Sequence, residues 1–147
     1  IRTPGGYLRE VAMYLSGLDV VRTTIWNCLG EDRNFREMET EDVFPAVSVK
    51  FISALNLNNS IKKIHKIDNI DKVLKKKGIK ECNIHFGLPF EVPELTSSVG
   101  RFGAIIAVGN DREEAKIRTE EAFNLLRFND YQLQEYKDYN SFNFEYK

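Results

Sequence analysis

Residues 100–115 read GRFGAIIAVGNDREEA, and two kinds of structure meet inside them. Gly100 to Val108 is an almost unbroken apolar, β-rich run, the pattern of a strand buried on both faces. Asp111-Arg-Glu-Glu114 places a side-chain acceptor three residues before a glutamate, which is a capping box. The helix that it opens is expected to run to about Arg127, with Ala115, Ala122, Leu125 and Leu126 turned inward. A buried strand that feeds directly into a capped helix needs further strands beside it and a surface for the helix to cover.

Those strands lie upstream. Ala46 to Ser53 alternates apolar and polar residues. The cluster Asn56-Leu-Asn-Asn-Ser60 turns the chain, and Ser60 to Ile67 reads as a second strand. Residues 69–77 read as a short helix stopped by Gly78. Ile79 to Leu88 alternates again, with a slip in phase between Ile79 and Cys82, and Pro89 and Pro93 mark a loop. Short connections favour antiparallel pairing. Before the strands, residues 6–29 carry two amphipathic stripes: Leu8, Val11, Ala12 and Leu15, then Val21, Thr24, Ile25 and Cys28. Ser16-Gly17 separates them, Asp19 is suited to cap the second, and Gly30 to end it. The fold class expected is α+β: two N-terminal helices followed by a small β-β-α-β-β-α antiparallel sheet subdomain.

Composition narrows the function. A formal net charge of -1 over 147 residues gives no global field to recruit nucleic acid or an anionic membrane. No run approaches a membrane span, and the start shows no secretory pattern. Cys28 and Cys82 lie far apart and read as two buried thiols in a reducing cytoplasm. The lysines between Lys62 and Lys80 have no aromatic platform among them and read as a solvated face. His65 and His85 stand singly, without a metal partner at ligand spacing, and read as structural. Glu10 reads as a surface charge, Gly-x-Ser-x-Gly is absent, and Glu31 to Glu41 reads as a mobile loop.

Arg2-Thr-Pro-Gly-Gly6 is the most site-like segment. A helix start presents unpaired N–H groups, glycines let an anion approach the backbone, and Arg2 can add a two-pronged contact to the same anion. The alternative is a plain turn before a helix.

Arg-x-Pro-Gly-Gly, a helix, Leu15-Ser-Gly-Leu-Asp19 and a helix ending Cys28-Leu-Gly30 together resemble the end of the ATP-binding domain in the ATP-grasp superfamily, carboxylate–amine ligase branch. Ala46-Val-Ser-Val-Lys-Phe-Ile52 and residues 100–115 look like the strands and helix of that branch's small C-terminal subdomain. The likeness covers roughly residues 1–127. It implies an end of an ATP-grasp fold with residues 1–45 as helices of the ATP-binding domain, 46–127 as the small α+β subdomain and 128–147 as an aromatic-rich tail. It implies an enzyme that uses ATP and magnesium to activate a carboxylate as an acyl phosphate and joins it to an amine. Arg2 then matches the catalytic Arg on the transferred phosphate, and Gly5 and Gly6 match backbone donors that bind the substrate carboxylate or its phosphate. The family's metal ligands precede that Arg, so none is expected within this chain. The chain is then a C-terminal fragment, inactive by itself, whose partners are small-molecule carboxylate and amine substrates and the upstream ATP-binding domain of the same protein. Oligomeric state stays open, a homodimer among the options. Two other readings stand: a non-catalytic binding or assembly module, and a carboxylase or carbamoyl-phosphate-type enzyme of the same superfamily.

Overall fold

The computed structural model describes residues 6–31, 42–57 and 61–129. The elements follow the expected order. Helix α1 is Leu8–Ser16 and α2 is Val20–Cys28; strand β1 is Ala46–Ser53, followed by a 3-10 turn at Ala54–Asn56. Short strands β2 (Lys63–Ile64) and β3 (Lys66–Asp68) lead to α3 (Ile70–Leu74) and β4 (Ile79–Ile84). Then come β5 (Phe90–Glu91), β6 (Arg101–Gly109), α4 (Arg112–Leu125) and β7 (Arg127–Asn129).

The main sheet is antiparallel, in the order β1-β6-β4. Strand β6 is central and buried from Phe102 to Gly109, as its apolar run requires. Helix α4 covers one face. Asp111 caps it by accepting from the Glu114 N–H at 2.8 Å, and Glu114 Oε2 accepts from the Asn110 N–H at 2.7 Å. Its buried residues are the small Ala115, Thr119 and Ala122, which let the helix lie close to the sheet. Thr119 meets Ser48 of β1 at 3.2 Å, and Lys50 pairs with Glu120 at 2.8 Å. Between α4, α3 and the sheet lies the core, with Ile52, Val73, Ile79, Cys82, Ile105 and Leu126.

The phase slip after Ile79 is a register shift. Ile79 faces Ala107 and Glu81 faces Ile106, so Lys80 is passed over. Ile79 and Cys82 therefore both reach the core, while Glu81 and Asn83 are sent to the opposite face. A second shift at Ile52/Ser53 lets Phe102 turn into the core as well.

Several expectations are corrected. The single strand expected at 60–67 is two, divided at His65: Ile64 pairs with Phe90 and Ile67 with Phe128, so each half joins a different ribbon. The loop between Pro89 and Pro93 contains β5. Cys28 is exposed rather than buried, because the last turn of α2 faces outward; Cys82 is buried. The stripes expected to be inward leave Leu8, Leu15 and Ile25 exposed. Helix α1 meets the sheet through its tyrosines instead. The loop at 32–41, and the tail beyond Asn129, lie outside the described residues.

Candidate functional site

Arg2 and Gly5 lie outside the described residues; Gly6 is described and stands at the entry to α1. Its φ is +64°, the left-handed region where a side chain is strained, and open space surrounds the position a Cβ would take. Tyr7 follows as the N-cap, with φ -90° and ψ 12°. Its side chain makes no capping hydrogen bond. Helix α2 differs: there Asp19 accepts from the Val21 and Arg22 N–H groups at 3.1 and 3.2 Å. The first turn of α1 therefore carries no side-chain acceptor at its cap.

The Tyr7 side chain crosses to the sheet instead. Its ring lies 6.0 Å from Phe51 of β1 and stacks on His85 at 5.9 Å, with 30° between the planes. The phenol oxygen and His85 Nε2 are 3.2 Å apart. Past Tyr7, the Arg101 guanidinium lies over the Phe51 ring, 4.2 Å from its centroid. One helical repeat on, the Tyr14 O–H donates to Glu81 Oε1 at 3.2 Å, and the Asn83 amide donates to Glu81 Oε2 at 2.7 Å. Lys80 ties this end down. It pairs with Asp42 at 2.7 Å and lies 4.3 Å from the Phe44 ring and 5.7 Å from that of Tyr14.

Two carboxylates, Glu10 and Glu81, thus stand near two phenols. Burial pushes the Tyr7 phenol up, with Glu81 and Glu10 adding to the rise and the Asn83 amide opposing it. Burial first, then Glu81, push Tyr14 up to about 12. Both hydroxyls keep their protons at neutral pH. Glu10, expected as a surface charge, is half-buried, and its Oε2 is buried without a hydrogen-bond partner among the described residues.

His85 is correspondingly more than the isolated structural residue expected. Glu81, Asn83 and His85 sit at every second position, in the phase opposite to Cys82 and Ile84. That alternation, with Tyr7 and Tyr14 seven residues apart on a helix, is the signal in the sequence for this face. His65 stays apart from it, its backbone N–H donating to the Asn129 carbonyl at 3.0 Å.

A cavity of about 340 Å³ opens beyond Lys80, beside Phe44, Lys77 and Arg118. Lys80 is engaged by Asp42, and Arg118 by Glu114 and the Val108 carbonyl, while Lys77 is exposed at the cavity edge. Among the described residues no three His, Cys, Asp or Glu side chains stand together to hold a metal ion. No helix among the described residues is long and apolar enough to cross a membrane.

The α+β arrangement of these elements resembles the C-terminal portion of ATP-grasp ligases. More particularly, residues 63–129, somewhat under half of the chain, match the family described as L-amino acid ligase C-terminal domain 2. The fold is similar to that of phosphoribosylglycinamide synthetase from Anaerococcus prevotii, with a TM-score of 0.66, 16% identity, and 84% of this chain covered. It is also similar to L-amino acid ligase from Bacillus licheniformis, with a TM-score of 0.63, 17% identity and 87% of this chain covered. The chain spans 30% of the length of each. At such identities the likeness is one of fold. No curated protein matches the chain in sequence.

Proposed function

We propose that this chain is the C-terminal part of an ATP-dependent ligase that activates a carboxylate as an acyl phosphate and joins it to an amine. The observation that carries the reading is the entry to α1: Gly6 at φ +64°, open space above it among the described residues, and a cap residue, Tyr7, whose side chain makes no capping hydrogen bond. Such a turn is suited to an anion. In this reading Arg2 holds the transferred phosphate, and the Gly5 and Gly6 amides hold the acyl group. ATP and magnesium would be bound by an ATP-binding domain of the same protein, since the described residues offer no metal cluster. Leu8, Leu15, Ile25 and Leu29, exposed on and just after α1 and α2, supply apolar surface for that domain to cover. Residues 46–127 form the small subdomain, and the chain is inactive without its upstream partner. Two free thiols fit a cytoplasmic protein.

The match to an L-amino acid ligase domain favours the carboxylate–amine branch over a carboxylase. The test is ADP release by the intact protein with ATP, magnesium and the twenty L-amino acids, before and after Arg2→Ala. Losing a preorganised contact to the reacting anion is expected to lower turnover on the order of 10²-fold. Unchanged turnover in Arg2→Ala would remove the assignment. Absence of any amino-acid-dependent ADP release would favour a non-catalytic module.

A further inference from the structure

A glycine turn is the least constrained backbone in a protein, yet amides that hold a reacting group must stay aimed. Tyr7 is the residue directly after that turn, and it is held from two strands. Phe51 of β1 contacts its ring, and His85, just past β4, both stacks on it and meets its hydroxyl at 3.2 Å. His85 is itself fixed, because its backbone N–H donates to the Phe102 carbonyl at 2.9 Å and Phe102 is fully buried. The linkage runs from the core through Phe102, His85 and Tyr7 to Gly6.

We infer that Tyr7 and His85 are a pair of positioning residues: their hydrogen bond ties the Gly6 entry of α1 to the sheet and keeps the first-turn amides aligned on the acyl group. This rests on the ligase reading above. Tyr7 acts through its neighbour's backbone, so its hydroxyl matters to turnover without touching substrate. Its other polar neighbours are Glu10 on the same helix and Glu81 and Asn83 on β4. A misplacement of about 1 Å in a reacting geometry can cost 10²-fold, so a single loosened anchor is consequential.

The experiment compares Tyr7→Phe, His85→Phe, the double variant and His85→Gln in the intact protein. Each is assayed by ADP release with ATP, magnesium and the mixture of twenty L-amino acids. Phenylalanine keeps the ring contact and removes the hydrogen bond; glutamine restores a hydrogen-bonding group. Tyr7 is half-buried and His85 exposed, so the substitutions leave the fold intact. Each Phe variant is expected to lower kcat about fivefold to tenfold, the scale of one hydrogen bond, with the apparent KM for the mixture unchanged. Tyr7→Phe also removes the contact with the Asn83 amide, so the double variant is expected to lose no more than Tyr7→Phe alone, because His85→Phe breaks a bond already gone. His85→Gln is expected to regain most of the rate. Additive losses, a loss confined to KM, no loss at all, or no rescue by glutamine would each overturn the inference. Should Arg2→Ala depress turnover while Tyr7→Phe does not, the positioning role alone falls. Should neither matter, or should no ADP be released, the ligase reading falls with it.

Discussion

Phe102→Ala is expected to loosen the sheet subdomain by about 3–5 kcal/mol. Phe102 has no exposed surface, and it lies where β6 shifts register against β1. Its ring is 5.4 Å from Phe90 of β5 and 6.3 Å from Phe128 of β7, edge-on to the latter at 83°. One side chain therefore joins the main sheet to both ribbons. A buried phenylalanine removes roughly 150–250 Å² from water, about 4–6 kcal/mol at 25 cal/mol per Å² as an upper bound. Alanine keeps the first carbon of the side chain, and partial collapse recovers some of the rest. Phe102→Leu retains most of the volume and should cost only about 1–1.5 kcal/mol. The protein carries its own reporter. Cys28 is exposed and Cys82 lies in the same core as Phe102. A thiol reagent should modify Cys28 at once and Cys82 only when the subdomain opens. Where reclosing outpaces labelling, the Cys82 rate follows the open population, so 3–5 kcal/mol becomes an acceleration of roughly 10²-fold to several 10³-fold. An acceleration below about tenfold, or a leucine variant as fast as the alanine one, would refute the reasoning.

Other outcomes follow from single contacts. Asp19→Ala removes the cap of α2 and should cost about 1 kcal/mol, read as faster hydrogen exchange at the Val21 and Arg22 amides, with Asp19→Asn keeping most of it. The Arg9 hydrogen bond holds the Asp19 carboxyl below the usual carboxylate range, so its contribution is present above about pH 4 and lost as pH falls through the lowered value. Gly103→Ala would place a Cβ 2.7 Å from the Asn83 carbonyl oxygen in the middle of the sheet, at a cost of about 1–3 kcal/mol in the Cys82 assay; Gly87→Ala, with open space around it, should change little. Burial pushes the Cys82 thiol up from 9.0 to about 11. A group raised on folding stabilises below its unfolded value, so the urea midpoint should fall as pH rises from 9 towards 11, and Cys82→Val should flatten that fall.

Long patterns were legible and short ones were not. Strand β6, α4 with its capped start, and β1 each span eight or more residues, enough for periodicity to show. Even the bulge in β4 was visible, as the slip between Ile79 and Cys82. Strands β2, β3 and β5 have two or three residues each, too few to carry a period, and their pairing is set by partners distant in the chain. On α1 the apolar stripe pointed to Leu8 and Leu15, which are exposed, whereas Tyr7 and Tyr14 are half-buried and their hydroxyls meet His85, just past β4, and Glu81 of β4. That partnership is also why most of the candidate site was missed. Gly6 announces itself locally. The link from Tyr7 to His85 spans 78 positions, and the alternation around His85 and the spacing of the tyrosines mark a face without naming the partner across it.

The order β1-β6-β4 has a consequence for synthesis. Both outer strands of the sheet are translated before the middle one. At roughly 5–20 residues per second, β1 waits some seconds for its partner, about 50 residues later, while β4 waits for about 20. During that interval a nascent chain carries two unpaired strands of the main sheet, with only the short β2-β5 ribbon able to form. A ribosome stalled anywhere before Arg101 would therefore hold a chain inviting chaperones rather than one that is partly folded.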